Sequence, residues 1–109
     1  MNVRSASSFM ICPRYTAMTP EQRHKARVAA LGCIVCHKLG IDDSPAHVHH
    51  IREGQGIGQR AGDMLTIPLC PEHHQGATGI HGLGTRAFER MYGTTELDLL
   101  NDTLRMLEP

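Results

Sequence analysis

The sequence predicts a small α+β domain stapled by zinc, with two short strands enclosed by helices toward both ends of the chain. Three features predict it. Two knuckles of metal-ligand type, Cys33-x2-Cys36 and Cys70-x2-His73, stand 33 residues apart. Two short segments, "AHVHHI" and "MLTIPL", carry strand-forming residues and are separated by a Gly-rich stretch. Residues 19–31 and 95–107 open on helix start signals and continue at helical spacing.

At 109 residues the chain makes one small domain, which buries only a modest share of its surface. It has no Trp, two Phe and two Tyr, so its core draws on Ala, Leu, Ile, Val and Met, and a metal staple is expected to supplement burial. Formal net charge is zero, but residues 1–60 carry eight Lys/Arg against four Asp/Glu and residues 61–109 carry three against seven. That asymmetry leaves room for a local basic face.

The opening segment, "MNVRSASSFMICPRYTAM", lacks the apolar run of a signal sequence and is expected to be a flexible terminus over 1–18, with the domain over 19–109. No run of about eighteen apolar residues occurs, so the expectation is a soluble, cytoplasmic protein without a membrane partner. A helix is predicted from Pro20 to about Leu31, with Thr19 as N-cap, Gln22 completing a capping box and Gly32 as the stop. "CIVCHKLG" follows as a tight knuckle and "IDDSP" as a turn. The strands "AHVHHI" and "MLTIPL" could then pair as a hairpin across the wide glycine-rich connection.

"CPEHHQGATGIHGLG" is too rich in glycine for a long helix. A helix from about Thr85 to Tyr92 is expected to end at Gly93. Thr95 and Asp98 then cap a last helix, on which Leu97, Leu100, Leu104 and Leu107 share one face that reads as core, the other reading being a partner surface.

The two knuckles carry the metal chemistry. A two-residue gap lets both side chains of a knuckle reach one ion, and Cys33, Cys36, Cys70 and His73 complete the four-coordinate sulfur and nitrogen shell of a structural zinc. A redox CxxC is disfavoured because no βαβ pattern surrounds it. Cysteines placed beside histidines argue for metal in a reducing compartment rather than for disulfides, and Cys12 stands apart from the pattern.

Once those ligands are assigned, His47, His49, His50, His74 and His81 remain within 35 positions, with His24 and His37 outside the group. On a strand, His49 and His50 point to opposite sides, so one could hold a metal while the other faces a water. His74 directly follows a zinc ligand, which would fix its position.

"HVHHI", "DMLTIPLCPEHHQG" and "GIHG", with the two knuckles, resemble the HNH endonucleases and their ββα-metal core. More narrowly, "VHHIREGQGIGQRAGDMLTIPLCPEHHQGATGIHG" and "TELDLLNDTL" are similar to the nuclease domain of the phage Ref family, the recombination-enhancement, RecA-dependent nucleases. The resemblance covers about residues 30 to 105. It implies that His50 is the general base, that His49 beside it is a metal ligand or orienting group, that His74 and His81 complete the catalytic metal site, and that Asp63 takes the place usually held by Asn. It implies DNA as substrate, a RecA filament as partner, a bacterial or phage-infected cell as setting, and a role in phage or prophage recombination.

The chemistry expected is metal-assisted phosphodiester hydrolysis, with Mg²⁺ or Mn²⁺ held by His74 and His81 with help from His49 or Asp63, and Zn²⁺ able to substitute. Arg52 and Arg60, at the ends of the Gly-rich loop, would bind phosphates flanking the scissile bond; the other reading of this loop is a connector with solvated arginines. The competing function is a non-catalytic zinc module that binds nucleic acid or protein, which has no use for five surplus histidines.

Overall fold

The computed structural model of the protein describes residues 18–52 and 62–108. Arg60, Cys12 and most of both the N-terminal segment and the Gly-rich loop lie outside the described residues. The described residues form six helices and a two-stranded sheet, a small α+β arrangement.

Helix α1, Pro20–Ala30, begins where its capping box demands: Thr19 Oγ1 accepts from the Gln22 amide at 3.1 Å, and Gln22 Oε1 accepts from the Thr19 amide at 2.9 Å. The chain leaves it through Gly32 at φ +79°, beside the Ser44 carbonyl, where a side chain would be strained. Helix α2, Ile34–Lys38, is a single turn whose N-cap is Cys33; its sulfur accepts from the Cys36 amide at 3.4 Å. The first knuckle is therefore a helix N-terminus, with both sulfurs brought to one side.

Strand β1, His47–His50, pairs antiparallel with β2, Thr66–Leu69, in the register His47 to Leu69 and His50 to Thr66. β2 is shorter than predicted. Gly62–Leu65 closes into a turn, the Leu65 amide bonding the Gly62 carbonyl at 3.0 Å, which leaves Met64 and Leu65 exposed. Pro68 is tolerated within β2 because each strand of a two-stranded sheet is an edge. β2 is buried throughout, with α1 and the last helix both packed against it.

As the glycine content of "CPEHHQGATGIHGLG" predicts, no long helix forms there, and the stretch holds two short ones, α3, Pro71–Gln75, and α4, Ile80–Leu83. The glycines do more than interrupt it. A Cβ on Gly79 would collide with the Glu72 carbonyl, and one on Gly82 with the Gly76 carbonyl, so their absence lets α4 fold back onto α3. Helix α5, Thr85–Tyr92, ends at Gly93 in the left-handed conformation, φ +69°.

Helix α6, Glu96–Leu107, starts on the predicted capping box of Thr95 and Asp98. Its buried face differs from the predicted leucine stripe. Glu96, Leu99, Leu100 and Thr103 face inward, whereas Leu97 and Leu104 are 43 % and 37 % exposed. Two polar residues set the rotation: Glu96 has its partners inside the domain, and the Thr103 hydroxyl donates back to the Leu99 carbonyl at 2.8 Å. Leu100 alone of the four leucines is fully inside.

The core gathers Ile34, Ile51, Ile67, Leu69, Ile80, Phe88 and Leu99, with Cys33, Cys36 and Cys70 at its edge. Among the described residues no helix is long and apolar enough to cross a membrane.

Candidate active site and metal centre

Cys33 and Cys36 stand at the start of α2, Cys70 and His73 at the start of α3, and the fold brings the two helix starts together with all four side chains buried. Cys36 and Cys70 sulfurs lie 3.8 Å apart, and His73 Nδ1 is 3.5 Å from Cys33, 3.5 Å from Cys36 and 3.2 Å from Cys70. A tetrahedron built on zinc–sulfur and zinc–nitrogen bonds has edges of about 3.8 Å between sulfurs and about 3.5 Å between sulfur and nitrogen. The four side chains could thus hold a zinc ion almost without moving. Burial pushes the Cys33 thiol up to about 12, against a value of 9.0 in water, so a bound cation must displace its proton. Burial likewise lowers the basicity of His73, keeping its ring neutral and able to ligate.

A second cluster lies on the next residue of α3. His74, with His49 from β1 and His81 from α4, offers ligand nitrogens all within 4.8 Å of one another. The ring centroids are 5.2 Å apart for His49 and His74, 5.2 Å for His49 and His81, and 4.7 Å for His74 and His81. Burial first, then the neighbouring imidazoles, pushes His74 down to about 4, and burial also lowers His81. The His74 and His81 rings are therefore neutral near pH 7, with lone pairs to offer. Three imidazole donors fit a site of the catalytic type, which leaves coordination positions for water or substrate.

Each member of the cluster is placed by a different device. His74 is carried by the knuckle that holds His73, and His81 by the close approach of α4 to α3. His49 is only 3 % exposed, and its Nε2 lies 2.7 Å from Glu96 Oε2, while Glu96 Oε1 accepts from the Arg52 amide at 2.9 Å. His47 lies at the edge, its Nδ1 3.5 Å from Nδ1 of His74.

His50, one residue on, faces elsewhere. Its Nε2 donates to Asp63 Oδ1 at 2.7 Å, and Asp63 Oδ2 is 3.6 Å from Lys25 Nζ of α1. The hydrogen bond from His50, and then Lys25, hold the Asp63 carboxyl below the usual aspartate range. Of the two helpers expected beside His74 and His81, the structure brings His49 to them, and it places Asp63 with His50 instead.

The Arg52 side chain is exposed, near enough to His81 for its charge to lower that ring's basicity. No motif or spacing in the sequence points to Glu96 or to Lys25. An acid in the first turn of a helix is ordinary, so nothing in the sequence distinguishes Glu96 from a residue that favours the helix dipole.

The family model described as "Recombination enhancement, RecA-dependent nuclease" matches residues 17–108, a span that takes in both clusters and the His50–Asp63 pair. Among curated proteins no match to the chain was found.

Proposed function

Because the chain belongs to the family of recombination-enhancement, RecA-dependent nucleases, we propose that it is an HNH-type endonuclease that hydrolyses DNA phosphodiester bonds with a divalent metal ion. The observation that carries the reading is the division of labour between neighbours: His49 enters the three-histidine cluster, while His50 is turned to Asp63. A binding module needs neither arrangement.

His49, His74 and His81 would hold the ion, Mg²⁺ or Mn²⁺ in use, and imidazole donors would let Zn²⁺ substitute and bind more tightly. When bound, the ion supplies Lewis-acid stabilisation of charge on the phosphoryl and leaving oxygens. The residues do the rest. With Nε2–H of His50 committed to the Asp63 carboxylate, Nδ1 keeps its lone pair and accepts a proton from a water. The water oxygen attacks phosphorus in line, and the bond from phosphorus to the 3′-oxygen breaks, its electron pair staying on that oxygen, which takes a proton from solvent. Asp63 stabilises the imidazolium so formed, and Lys25 keeps Asp63 ionised.

Arg52, and Arg60 on the sequence reading alone, would bind phosphates beside the scissile bond. Such contacts position DNA without reading its bases, so selectivity falls to DNA form and to the RecA filament. The Cys33, Cys36, Cys70 and His73 set serves as a structural zinc that holds α3, and with it His74, in place.

The test is incubation with supercoiled, single-stranded and RecA-coated D-loop DNA, with and without Mg²⁺ or Mn²⁺. Cleavage of the RecA-coated D-loop that needs added metal is the expected result. Cleavage of none of the substrates, or cleavage indifferent to chelator, would contradict the proposal.

A further inference from the structure

We propose that Glu96 is the positioning residue of the histidine cluster: its buried carboxylate keeps the His49 proton on Nε2 and so leaves the Nδ1 lone pair for the metal ion. The inference rests on the reading of His49, His74 and His81 as a metal site.

Glu96 is fully buried, a costly place for a carboxylate unless its oxygens are matched to donors. Helix capping does not account for it, since Thr95 and Asp98 already form the capping box of α6. Two of its partners, the Arg52 amide and His49, have fixed or readable roles. The Arg52 amide, 2.9 Å from Oε1, can only donate. His49 Nε2, 2.7 Å from Oε2, faces an acceptor and must therefore carry the ring's proton. A neutral imidazole has one N–H, so Nδ1 is left bare. Carboxylates commonly fix metal-binding histidines in this manner from outside the ligand set.

The same side chain ties the backbone of Arg52 to the start of α6. One carboxylate thereby sets both a metal ligand and the strand exit that leads to the proposed phosphate contact.

Glu96→Gln isolates the effect. Its carbonyl oxygen is held by the Arg52 amide, so its NH₂ group faces His49 Nε2. Two donors cannot share that contact, and the ring must move its proton to Nδ1, the atom assigned to the ion.

The experiment uses the full chain loaded with one equivalent of zinc, enough for the Cys33, Cys36, Cys70 and His73 set alone, and no other divalent ion. Long-range ¹H–¹⁵N NMR of the histidines reads the tautomer, and a Mn²⁺ titration followed by EPR reads the second site. Expected are an Nε2–H tautomer for His49 in the native chain, an Nδ1–H tautomer in Glu96→Gln, and Mn²⁺ binding weakened about 10- to 100-fold in that variant. Wild-type affinity in Glu96→Gln, alongside weakened binding in His49→Ala, would overturn the role of Glu96 and leave the metal site standing. Binding unchanged in His49→Ala, His74→Ala and His81→Ala alike would overturn the metal site, and this proposal with it. Should Glu96→Gln fail to fold, the tautomer of the native chain decides, and an Nδ1–H signal there refutes the inference.

Discussion

His49 and His50 are adjacent in the chain and meet different surroundings because a strand sends consecutive side chains to opposite faces. His49 is enclosed with two other rings, and His50 sits half-buried against an aspartate. Enclosure has a measurable cost in acid. His74 is pushed down to about 4 in the folded chain from 6.5 in water, so between those values the unfolded chain binds the extra proton. Stability should therefore fall as pH drops below about 6.5 and level off near 4, in zinc-loaded protein without other divalent ions. Thermal melts across that range check it, and His74→Gln should flatten the dependence. An unchanged slope in the variant would show that the loss arises elsewhere. At this scale the histidines were legible because five of them exceed what one tetrahedral shell can use. Glu96 and Lys25 were not, since each acquires its role only from a residue 47 or 38 positions away that folding brings to it.

The elements follow their local chemistry closely where a cap or a glycine decides the matter. Thr19 with Gln22, Thr95 with Asp98, and Gly93 each bound a helix at the residue their chemistry requires. The orientation of α6 is a different kind of question. Four leucines at helical spacing suggested one face, but the helix is turned so that Glu96 and Thr103 are inside and Leu97 and Leu104 meet solvent. Counting apolar residues could not reveal this, because the deciding groups are polar and their partners distant. The consequence can be measured in denaturant. Leu99→Ala, at a fully buried position, should cost about 2 to 5 kcal/mol. Leu97→Ala should stay within about 0.5 kcal/mol. Equal losses at the two positions would restore the leucine stripe as the buried face. The wide turn between α3 and α4 was likewise readable only in part. Its glycines announced a break in the helix, while the backbone approach that brings His81 beside His74 depends on the tertiary fold.

Across the whole molecule, the two clusters are coupled by chain connectivity, because α3 carries His73 into one and His74 into the other. A domain with Phe88 as its only fully buried aromatic residue among those described should lean for stability on an ion held by Cys33, Cys36, Cys70 and His73. Cys70→Ser should remove much of the folded state, given that zinc binding in small zinc-finger peptides contributes on the order of 10 kcal/mol. Circular dichroism melts would show it, and a variant with an unchanged cooperative midpoint would show that the site is not structural. In the proposed mechanism the chain cuts DNA with His50 as proton acceptor and His81 as metal ligand. Its most direct measurement is single-turnover cleavage of RecA-coated D-loop DNA by the wild type, His50→Ala and His81→Ala across a Mn²⁺ titration. His50→Ala should be slowed about 10²- to 10⁴-fold at every Mn²⁺ concentration, whereas His81→Ala should recover as Mn²⁺ rises. Recovery of His50→Ala by Mn²⁺, or cleavage unaffected by either change, would contradict it.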